Sequence, residues 1–254
     1  MFVETHCHLN DSRAFPDPDA AIGDARAAGV GRIIIVGTDP EDGERAIRIA
    51  ERHNDVYAIV GFHPNSCADY ATSRLSELRP LLANPKVVAI GEIGLDYYRD
   101  HAPHDIQRQA LLDQLALARE LSLPVVFHCR NAYPDLLTLL EELPPHPYLI
   151  HCFAGDRKDA RRAVKLGSLF GVDGPITYKN GEPLRETIRH IGLERLVLET
   201  DSPYLSPVPH RGKPNCPAYI PLIANGIAEA LGVTIEQVAE VTTATADRFF
   251  GLTI

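Results

Sequence analysis

Six side chains in this sequence are of the kinds that bind divalent cations. They are four imidazoles and two carboxylates, at His6, His8, Glu92, His128, His151 and Asp201. Each lies at or near the end of a short apolar segment, such as FVETHCHL or PVVFHC, that is typical of a β-strand. The set is large enough for two cations rather than one, and two cations activate a water molecule for attack on carbon or phosphorus. The residue types therefore predict hydrolytic chemistry before any substrate is considered.

These ligands need a scaffold that brings distant parts of the chain together, and the sequence contains eight strand-like segments that alternate with helical patterns. The segments are 2–9, 32–37, 57–62, 87–92, 124–129, 148–153, 168–172 and 195–201. Eight βα units in succession predict an α/β fold, a (β/α)8 TIM barrel, with residues 1–254 forming a single domain. A doubly wound open sheet is the alternative, but it would keep apart the first and last strands, which carry three of the ligands.

Strand geometry assigns the polar residues to one face of each strand, because successive side chains point in opposite directions. Glu4, His6 and His8 are expected to share a face, and Glu199 is expected to point the same way as Asp201. In barrels of this type the active site lies at the carboxyl ends of the strands. All six candidate ligands fall at that end.

Three cysteines neighbour these ligands in the sequence and need a separate interpretation. Cys7, Cys129 and Cys152 occupy positions next to histidines, so alternation turns their side chains away from the ligands. We therefore expect them to face the helix layer as small core residues, not to bind metal as thiolates.

Composition narrows the protein class. Five cysteines without paired spacing, and no signal peptide at the start, predict free thiols in a reducing cytoplasm. No apolar segment approaches the roughly 20 residues of a membrane span, so no membrane partner is expected. The net charge of −9 argues against a broad basic face that wraps a long nucleic acid, although it allows a grip on one strand end.

Several motifs together resemble the TatD family of metal-dependent deoxyribonucleases, which belong to the amidohydrolase-like barrels. The motifs are THCHL at 5–9, GFHP at 61–64, GEIGLDYY at 91–98, FHCRNA at 127–132, HCFAG at 151–155, LETDSPYLSP at 198–207 and HRGKPN at 210–215. They cover the chain from end to end in the same order. The resemblance implies a barrel, two divalent metals and hydrolysis of nucleic-acid phosphodiesters, often from a 3′ end.

The resemblance also implies how the ligands are divided. One metal would be bound by His6, His8, Glu92 and Asp201, and the other by Glu92, His128 and His151, so that Glu92 bridges. Mg²⁺ or Mn²⁺ is expected, with Zn, Co or Ni as alternatives that the same donor types accept. Asp201 is expected to take the proton of the attacking water, which makes Asp201 and Glu92 the candidate catalytic residues.

Other residues are candidate substrate contacts. Arg130 is two positions after His128 and would clamp a phosphate, while His63 and Tyr204 would line the mouth of the barrel. Between 202 and 228 the chain has no Asp or Glu but contains Arg211 and Lys213, which predicts a basic rim for a single-stranded DNA end.

Two departures from the family pattern concern the surroundings of the site. Glu4 replaces the usual Asp before the first histidine pair, and it is expected, like Glu199, to support the metal ligands from behind. Pro214 and Cys216 replace a basic residue and an acid, which changes substrate contacts in the rim rather than the chemistry.

The favoured function is a 3′-5′ exonuclease on single-stranded DNA. A two-metal hydrolase of carbon esters or amides, such as a D-aminoacyl-tRNA deacylase, is the alternative, because the same activated water attacks carbonyl groups. A third possibility is a barrel that binds ligands without catalysis, but all six candidate metal ligands are present in this sequence.

Overall fold

The computed structural model describes residues 1–99 and 101–252. Within these ranges eight parallel strands form one sheet in which the strands follow their order in the sequence. The strands are β1 (Phe2–Cys7), β2 (Val30–Gly37), β3 (Val56–Val60), β4 (Val87–Asp96), β5 (Val125–Arg130), β6 (Tyr148–Ile150), β7 (Leu169–Val172) and β8 (Leu196–Leu198). The predicted (β/α)8 architecture is confirmed. The predicted domain range, 1–254, includes residues 100, 253 and 254, which lie outside the described part.

Helices connect the strands and cover the outside of the sheet. They are α1 (Pro18–Ala27), α2 (Pro40–Ala50), α3 (Leu75–Leu82), α4 (His104–Leu121), α5 (Tyr133–Glu141), α6 (Arg157–Lys165), α7 (Glu182–Ile191), α8 (Ile220–Leu231) and α9 (Ile235–Phe250). The local sequence determines where several helices begin. Asp17 and Asp39 cap the N-termini of α1 and α2, and Asp156 forms a capping box with Asp159 on α6. In the described ranges no single helix has the length and apolar composition to cross a membrane, although α8 (extended from Pro217) and α9 meet both criteria as a pair bent by 108°.

The first and last strands meet, which makes the sheet a nearly closed barrel. The Thr5 hydroxyl donates a hydrogen bond to the Leu198 carbonyl over 2.9 Å. Just beyond β8, the Asp201 N–H donates to the His6 carbonyl over 2.9 Å. This contact between chain ends that are far apart in sequence rules out the open-sheet alternative.

The interior of the barrel is filled by apolar side chains below the candidate site. These residues are Val3, Ile34, Val36, Ile59, Ala89, Val126, Leu149 and Val197, packed against Ala246 and Phe250 of α9. Two positions after Val126 and Leu149 come His128 and His151, so strand alternation sends these imidazoles into the same interior one layer higher. The apolar layer thus forms the floor on which the polar cluster rests.

Four strands, β1, β3, β6 and β8, end earlier than the sequence predicts. Because β1, β6 and β8 are short, His8, His151 and Asp201 lie in the loops that follow the strands. Cys152 and Asp201 have φ values of 44° and 53°, and this left-handed conformation ends an extended chain. In contrast, β4 continues past its predicted end to Asp96.

Candidate metal centre

Glu92 lies at the centre of the polar cluster, where it is 3 % exposed, and its two carboxylate oxygens face different imidazoles. Oε2 lies 3.3 Å from Nε2 of His6. Oε1 lies 2.7 Å from Nδ1 of His128 and 2.7 Å from Nε2 of His151. A carboxylate with one oxygen toward each of two imidazole groups has the arrangement that a bridging ligand requires.

The first ligand group consists of His6, His8 and Asp201, from the start of the chain and from the loop after β8. Asp201 Oδ1 lies 3.4 Å from His8 Nε2 and 3.9 Å from His6 Nε2. His8 Nδ1 lies 3.1 Å from the carbonyl of Val36, which orients the ring so that Nε2 points into the cluster. One nitrogen each from His6 and His8 and one oxygen of Glu92 lie within 4.8 Å of one another, close enough to share a cation.

The second ligand group consists of His63, His128 and His151, which all face Glu92 Oε1; the His151 ring also stacks on that of His6, with centroids 3.9 Å apart. His63 was expected to contact substrate, but its Nε2 lies 3.6 Å from Glu92 Oε1. Potential ligand atoms of His63, Glu92 and His128 also lie within 4.8 Å of one another. The structure therefore brings His63 among the ligands as well as toward the barrel mouth, while its Nδ1 accepts a hydrogen bond from the Asn65 N–H.

Burial disfavours the charged form of each titratable group in this cluster, but neighbouring opposite charges determine the direction of most of the pKa shifts. Burial would raise the pKa of Glu92, yet the imidazoles of His151 and His63 hold it well below its usual value. Burial would lower the pKa of His151, whereas Glu92 and Glu199 raise it well above its usual value. For His6, burial and the nearby charge of His151 lower the pKa. The Glu92 carboxylate thus stays ionised, and the imidazoles that face it must give up any protons they hold when they bind a metal.

Orphaned polar atoms supply an independent test of whether the cluster fits metal ions. Both ring nitrogens of His6 and Nδ1 of His151 are buried without a hydrogen-bond partner among the described residues. Such groups are costly in a folded protein unless something compensates them. Imidazole nitrogens and carboxylate oxygens are also the donor set that accepts Mg, Mn, Co or Zn. The residues present therefore fit the divalent ions that the sequence predicts.

Glu4 lies beneath the first ligand group and is fully buried. Its Oε1 accepts hydrogen bonds from the backbone N–H groups of His6 and Thr200, over 2.9 and 3.0 Å. Burial raises the pKa of Glu4 well above its usual value. The longer side chain that replaces the family's Asp thus ties β1 to the loop after β8; its support of the metal ligands stays a prediction.

Glu199 has the corresponding position beneath the second ligand group. Its Oε1 lies 3.6 Å from Nδ1 of His151 and also accepts a hydrogen bond from the Cys152 N–H. The neighbouring β7 has Gly171 at this level, where a Cβ atom would collide with the Glu199 carboxylate. The glycine therefore leaves the space in which Glu199 orients His151.

Asp96 is a member of the site that the sequence analysis missed. Its Oδ2 lies 3.0 Å from Nε2 of His128 and accepts a hydrogen bond from the Asn65 side chain. The signal was present, because Asp96 belongs to the motif GEIGLDYY and follows Glu92 at an even spacing. It was missed because the predicted strand ended at Glu92, whereas β4 ends at Asp96.

The cysteine predictions are right for two positions and wrong for the third. Cys7 and Cys129 are buried in the apolar core shared by the strands and helices. Cys152 does not face the helix layer: its Sγ lies 3.1 Å from the carboxylate of Asp173, in the loop region after β6 and β7. Alternation fails there because β6 has already ended at Ile150.

Arg130 and Tyr204 lie near the mouth of the barrel, at the level of the ligands. The Arg130 guanidinium stacks 3.8 Å from the ring centroid of Tyr98, at the end of the strand that carries His128. The Tyr204 ring is 57 % exposed, and its centroid lies 6.1 Å from that of His8. Burial and the charge of Asp201 raise the pKa of Tyr204, so it stays a neutral hydroxyl at the entrance.

Arg211 and Lys213 are exposed on the loop after β8. The Arg211 guanidinium lies 4.3 Å from the ring centroid of Tyr178, in the loop region after β7. The Lys213 carbonyl accepts a hydrogen bond from the Ser206 hydroxyl, which folds the loop back on itself. The structure therefore places the two cations on the rim but away from direct contact with the ligand groups.

Comparisons with known proteins agree with this geometry. The family model described as TatD related DNase matches residues 3–251. An uncharacterized metal-dependent hydrolase YabD from Bacillus subtilis is 39% identical, over 98% of this chain and 99% of its own. A 3′-5′ ssDNA/RNA exonuclease TatD from Citrobacter rodentium is 35% identical, over 97% of both chains. The crystal structure of YjjV, a TatD homologue from Escherichia coli, superposes with a TM-score of 0.93 at 32% identity, over 99% of this chain and 98% of that one. The chain therefore belongs to the family of TatD-related DNases and is a metal-dependent hydrolase.

Proposed function

We propose that this hydrolase is a nuclease that cleaves phosphodiester bonds at the 3′ end of single-stranded DNA, with two divalent ions, Mg²⁺ or Mn²⁺, held on either side of Glu92. The observation that carries the proposal is that the two Glu92 oxygens have different partners, one facing His6 and the other facing His128 and His151. Similarity to relatives named as 3′-5′ ssDNA/RNA exonucleases supports the substrate class.

In this proposal each ligand group holds one of the two ions. His6, His8, Glu92 and Asp201 would hold one ion, and Glu92, His128 and His151 would hold the other, with His63 close enough to complete it. The bound ions would supply acidification of a water molecule and neutralisation of charge on phosphorus. Glu92 fixes the spacing between the two groups, while Glu4 and Glu199 hold the ligands in place.

Asp201 is the proposed proton acceptor. Burial would raise its pKa, but the hydrogen bond with His8 lowers it, so the carboxylate is ionised and ready to accept a proton. It is the most exposed carboxylate of the cluster, at 14 %, which lets it reach a water molecule from the mouth. Arg130 would pair two phosphate oxygens, and Tyr204 would contact the substrate at the entrance.

The direct test is hydrolysis of single-stranded oligonucleotides, labelled at the 3′ or the 5′ end, by the purified enzyme with Mg²⁺ or Mn²⁺. Early loss of a 3′ label, with stepwise shortening of a 5′-labelled strand, is the expected result. DNA and RNA strands of equal sequence are compared in parallel. Release of internal fragments would overturn the exonuclease assignment.

A parallel assay with aminoacyl-tRNA separates the carbonyl-directed alternative. Acyl release without nucleotide release would overturn the nuclease proposal and favour a deacylase. The predicted cytoplasmic location accords with five cysteines that form no disulfide among the described residues, and it stays a prediction.

A further inference from the structure

A cleft with a volume of about 680 Å³ lies beside the metal centre, between α6 and α7. One wall is the start of α6, and the opposite wall comprises Pro175 and Tyr178, after β7, and the start of α7. The volume lies in the roughly 300–1,000 Å³ range of ligand sites. The metal ligands do not line this cleft, so the chemistry proposed for them leaves it without a role.

The floor of the cleft connects it to the second ligand group. Cys152 and Asp173 both line it, and the Cys152 thiol lies 3.1 Å from the Asp173 carboxylate. Cys152 directly follows His151, and its N–H donates to Glu199, the carboxylate that faces His151. The floor of the cleft therefore adjoins the second ligand group.

The α6 wall carries three exposed cations: Arg157, Lys158 and Arg161. Their spacings of three and four residues put Arg161 on the same helix face as the other two. Within the described ranges none of the three forms an ion pair, whereas the next residue, Arg162, pairs with Glu141 at 2.8 Å. All three cations are therefore free to contact an anionic ligand.

The carboxylates in the lining do not cancel this positive wall. Asp156 keeps its charge and offsets one of the three positive charges, because hydrogen bonds from the backbone N–H groups of Asp159 and Lys158 and the nearby cations lower its pKa. Asp173 is buried, and its carboxylate accepts a hydrogen bond from the Cys152 thiol. Only Glu186 on α7 opposes the three cations across the cleft.

The far edge of the cleft joins it to the rim loop. The Tyr178 hydroxyl donates to the Ser206 carbonyl over 3.0 Å, and the Arg211 guanidinium covers the Tyr178 ring. Arg211 belongs to the stretch 202–228, which has no Asp or Glu. Arg211 therefore lies against the same tyrosine that lines the cleft.

We propose that the α6–α7 cleft binds the polynucleotide chain beyond the scissile bond, with Arg157, Lys158 and Arg161 contacting successive phosphates. This rests on the proposed nuclease function and adds to it a binding site for the rest of the strand. Substrates that extend past the bond being cut gain these contacts, and a dinucleotide does not reach them.

The test measures binding by fluorescence anisotropy, with Asp201→Asn present in every variant so that the strand is not cut. The probes are a 5′-fluorescein oligothymidylate and the equivalent labelled dinucleotide. Arg157→Ala, Lys158→Ala and Arg161→Ala together should raise the Kd of the long probe about tenfold and leave that of the dinucleotide unchanged. The slope of log Kd against log salt should flatten by about two units, for three lost single-strand phosphate contacts.

A matched control removes three positive charges elsewhere on the same side of the barrel, through Arg162→Ala, Lys165→Ala and Arg189→Ala. These substitutions should leave both probes unaffected. Equal weakening by the control set, or equal weakening of the dinucleotide, would overturn the cleft as a specific site. Cleavage of the long probe by the parent enzyme is measured alongside. Cleavage together with unchanged binding by the α6 variant overturns only the cleft, whereas absence of cleavage overturns the nuclease function and the cleft assignment with it.

Discussion

The metal centre is carried by strand ends and the loops that follow them and is mostly buried, whereas the neighbouring α6–α7 cleft is lined largely by helices and is open to solvent. In the metal centre His6 and Glu92 are 0 % and 3 % exposed, and every carboxylate there faces an imidazole or a backbone N–H. On the cleft wall, Arg157 and Arg161 are exposed and face no carboxylate within ion-pair distance among the described residues.

From this difference we expect the metal centre to carry out the chemical step and the cleft to bind the strand. Buried, mutually paired groups hold their positions without a ligand, which is the preorganisation that charge stabilisation in a transition state needs. Exposed cations with long side chains cost little to leave unpaired in water and adapt to a flexible anionic chain. Substitutions in the first region should therefore change turnover, and those in the second should change binding.

The largest effect is expected from Glu92→Gln, which removes the charge that both ligand groups share. Occupancy of both metal positions should fall, as measured by metal analysis after gel filtration. Turnover should fall by more than the roughly 10²–10³-fold cost of losing one electrostatic contact, since two ions are affected. Metal analysis that shows one full position with unchanged affinity would exclude the bridging arrangement.

Asp201→Asn should lower turnover by several powers of ten while oligonucleotide binding persists. The amide keeps the size of the side chain but cannot accept a proton as the carboxylate does. Asparagine also tolerates the left-handed φ of 53° at this position, so the backbone should be retained. Turnover and Kd are measured separately, and turnover within about tenfold of the parent would exclude Asp201 as the base.

The residues of these two predictions belong to a ligand set that could be identified from the sequence, because the alternation of side chains along a strand depends only on neighbouring residues. His128 and His151 follow interior apolar residues at a spacing of two, so a strand pattern is sufficient to aim them inward. The barrel then supplies the meeting point, since the carboxyl ends of its strands converge. Residue type, spacing and fold class together therefore led to the candidate ligands.

What the sequence did not predict depends on where strands stop and on contacts between distant elements. Cys152 was misassigned because β6 ends before it and the chain turns with a φ of 44°. Asp96 was missed because β4 runs farther than its apolar pattern. The cleft is formed by α6, α7 and the segment around Tyr178, and no local pattern encodes how these separate segments meet.

A smaller effect, on binding alone, is expected from Arg211→Ala combined with Lys213→Ala. The KM for single-stranded DNA should rise severalfold, and the log–log salt slope should flatten by about one to two units for two lost phosphate contacts. Hydrolysis of bis(p-nitrophenyl) phosphate should stay constant, because this small diester does not extend to the rim. Equal losses on both substrates would show that the loop shapes the metal centre and would remove the contrast between the two regions.

The last prediction is located at the boundary between the regions and concerns the effect of Asp173 on stability rather than on activity. Burial, together with the charges of Glu199 and Asp201, raises its pKa to about 8. In the unfolded chain the pKa returns to its ordinary value of 3.8. Between these two values the folded protein holds a proton that the unfolded chain has lost, so this group makes stability decline as the pH rises toward about 8 and has no further effect above it.

Asp173→Asn removes this titration while keeping an acceptor for the Cys152 thiol. The free energy of unfolding of the variant, minus that of the parent, should therefore increase with pH, by at most about 1.4 kcal/mol per pH unit for one proton, and level off above about pH 8. Urea unfolding of the metal-free proteins at a series of pH values measures the difference. Asp135→Asn, which changes an exposed carboxylate on α5, serves as the control and should give a difference that does not vary in this way.

A pH-independent difference for Asp173→Asn would mean that the floor of the cleft carries a charged carboxylate. The negative charge would then extend from the metal centre under the cleft, and the boundary between the two regions would lie farther out, at α6 itself.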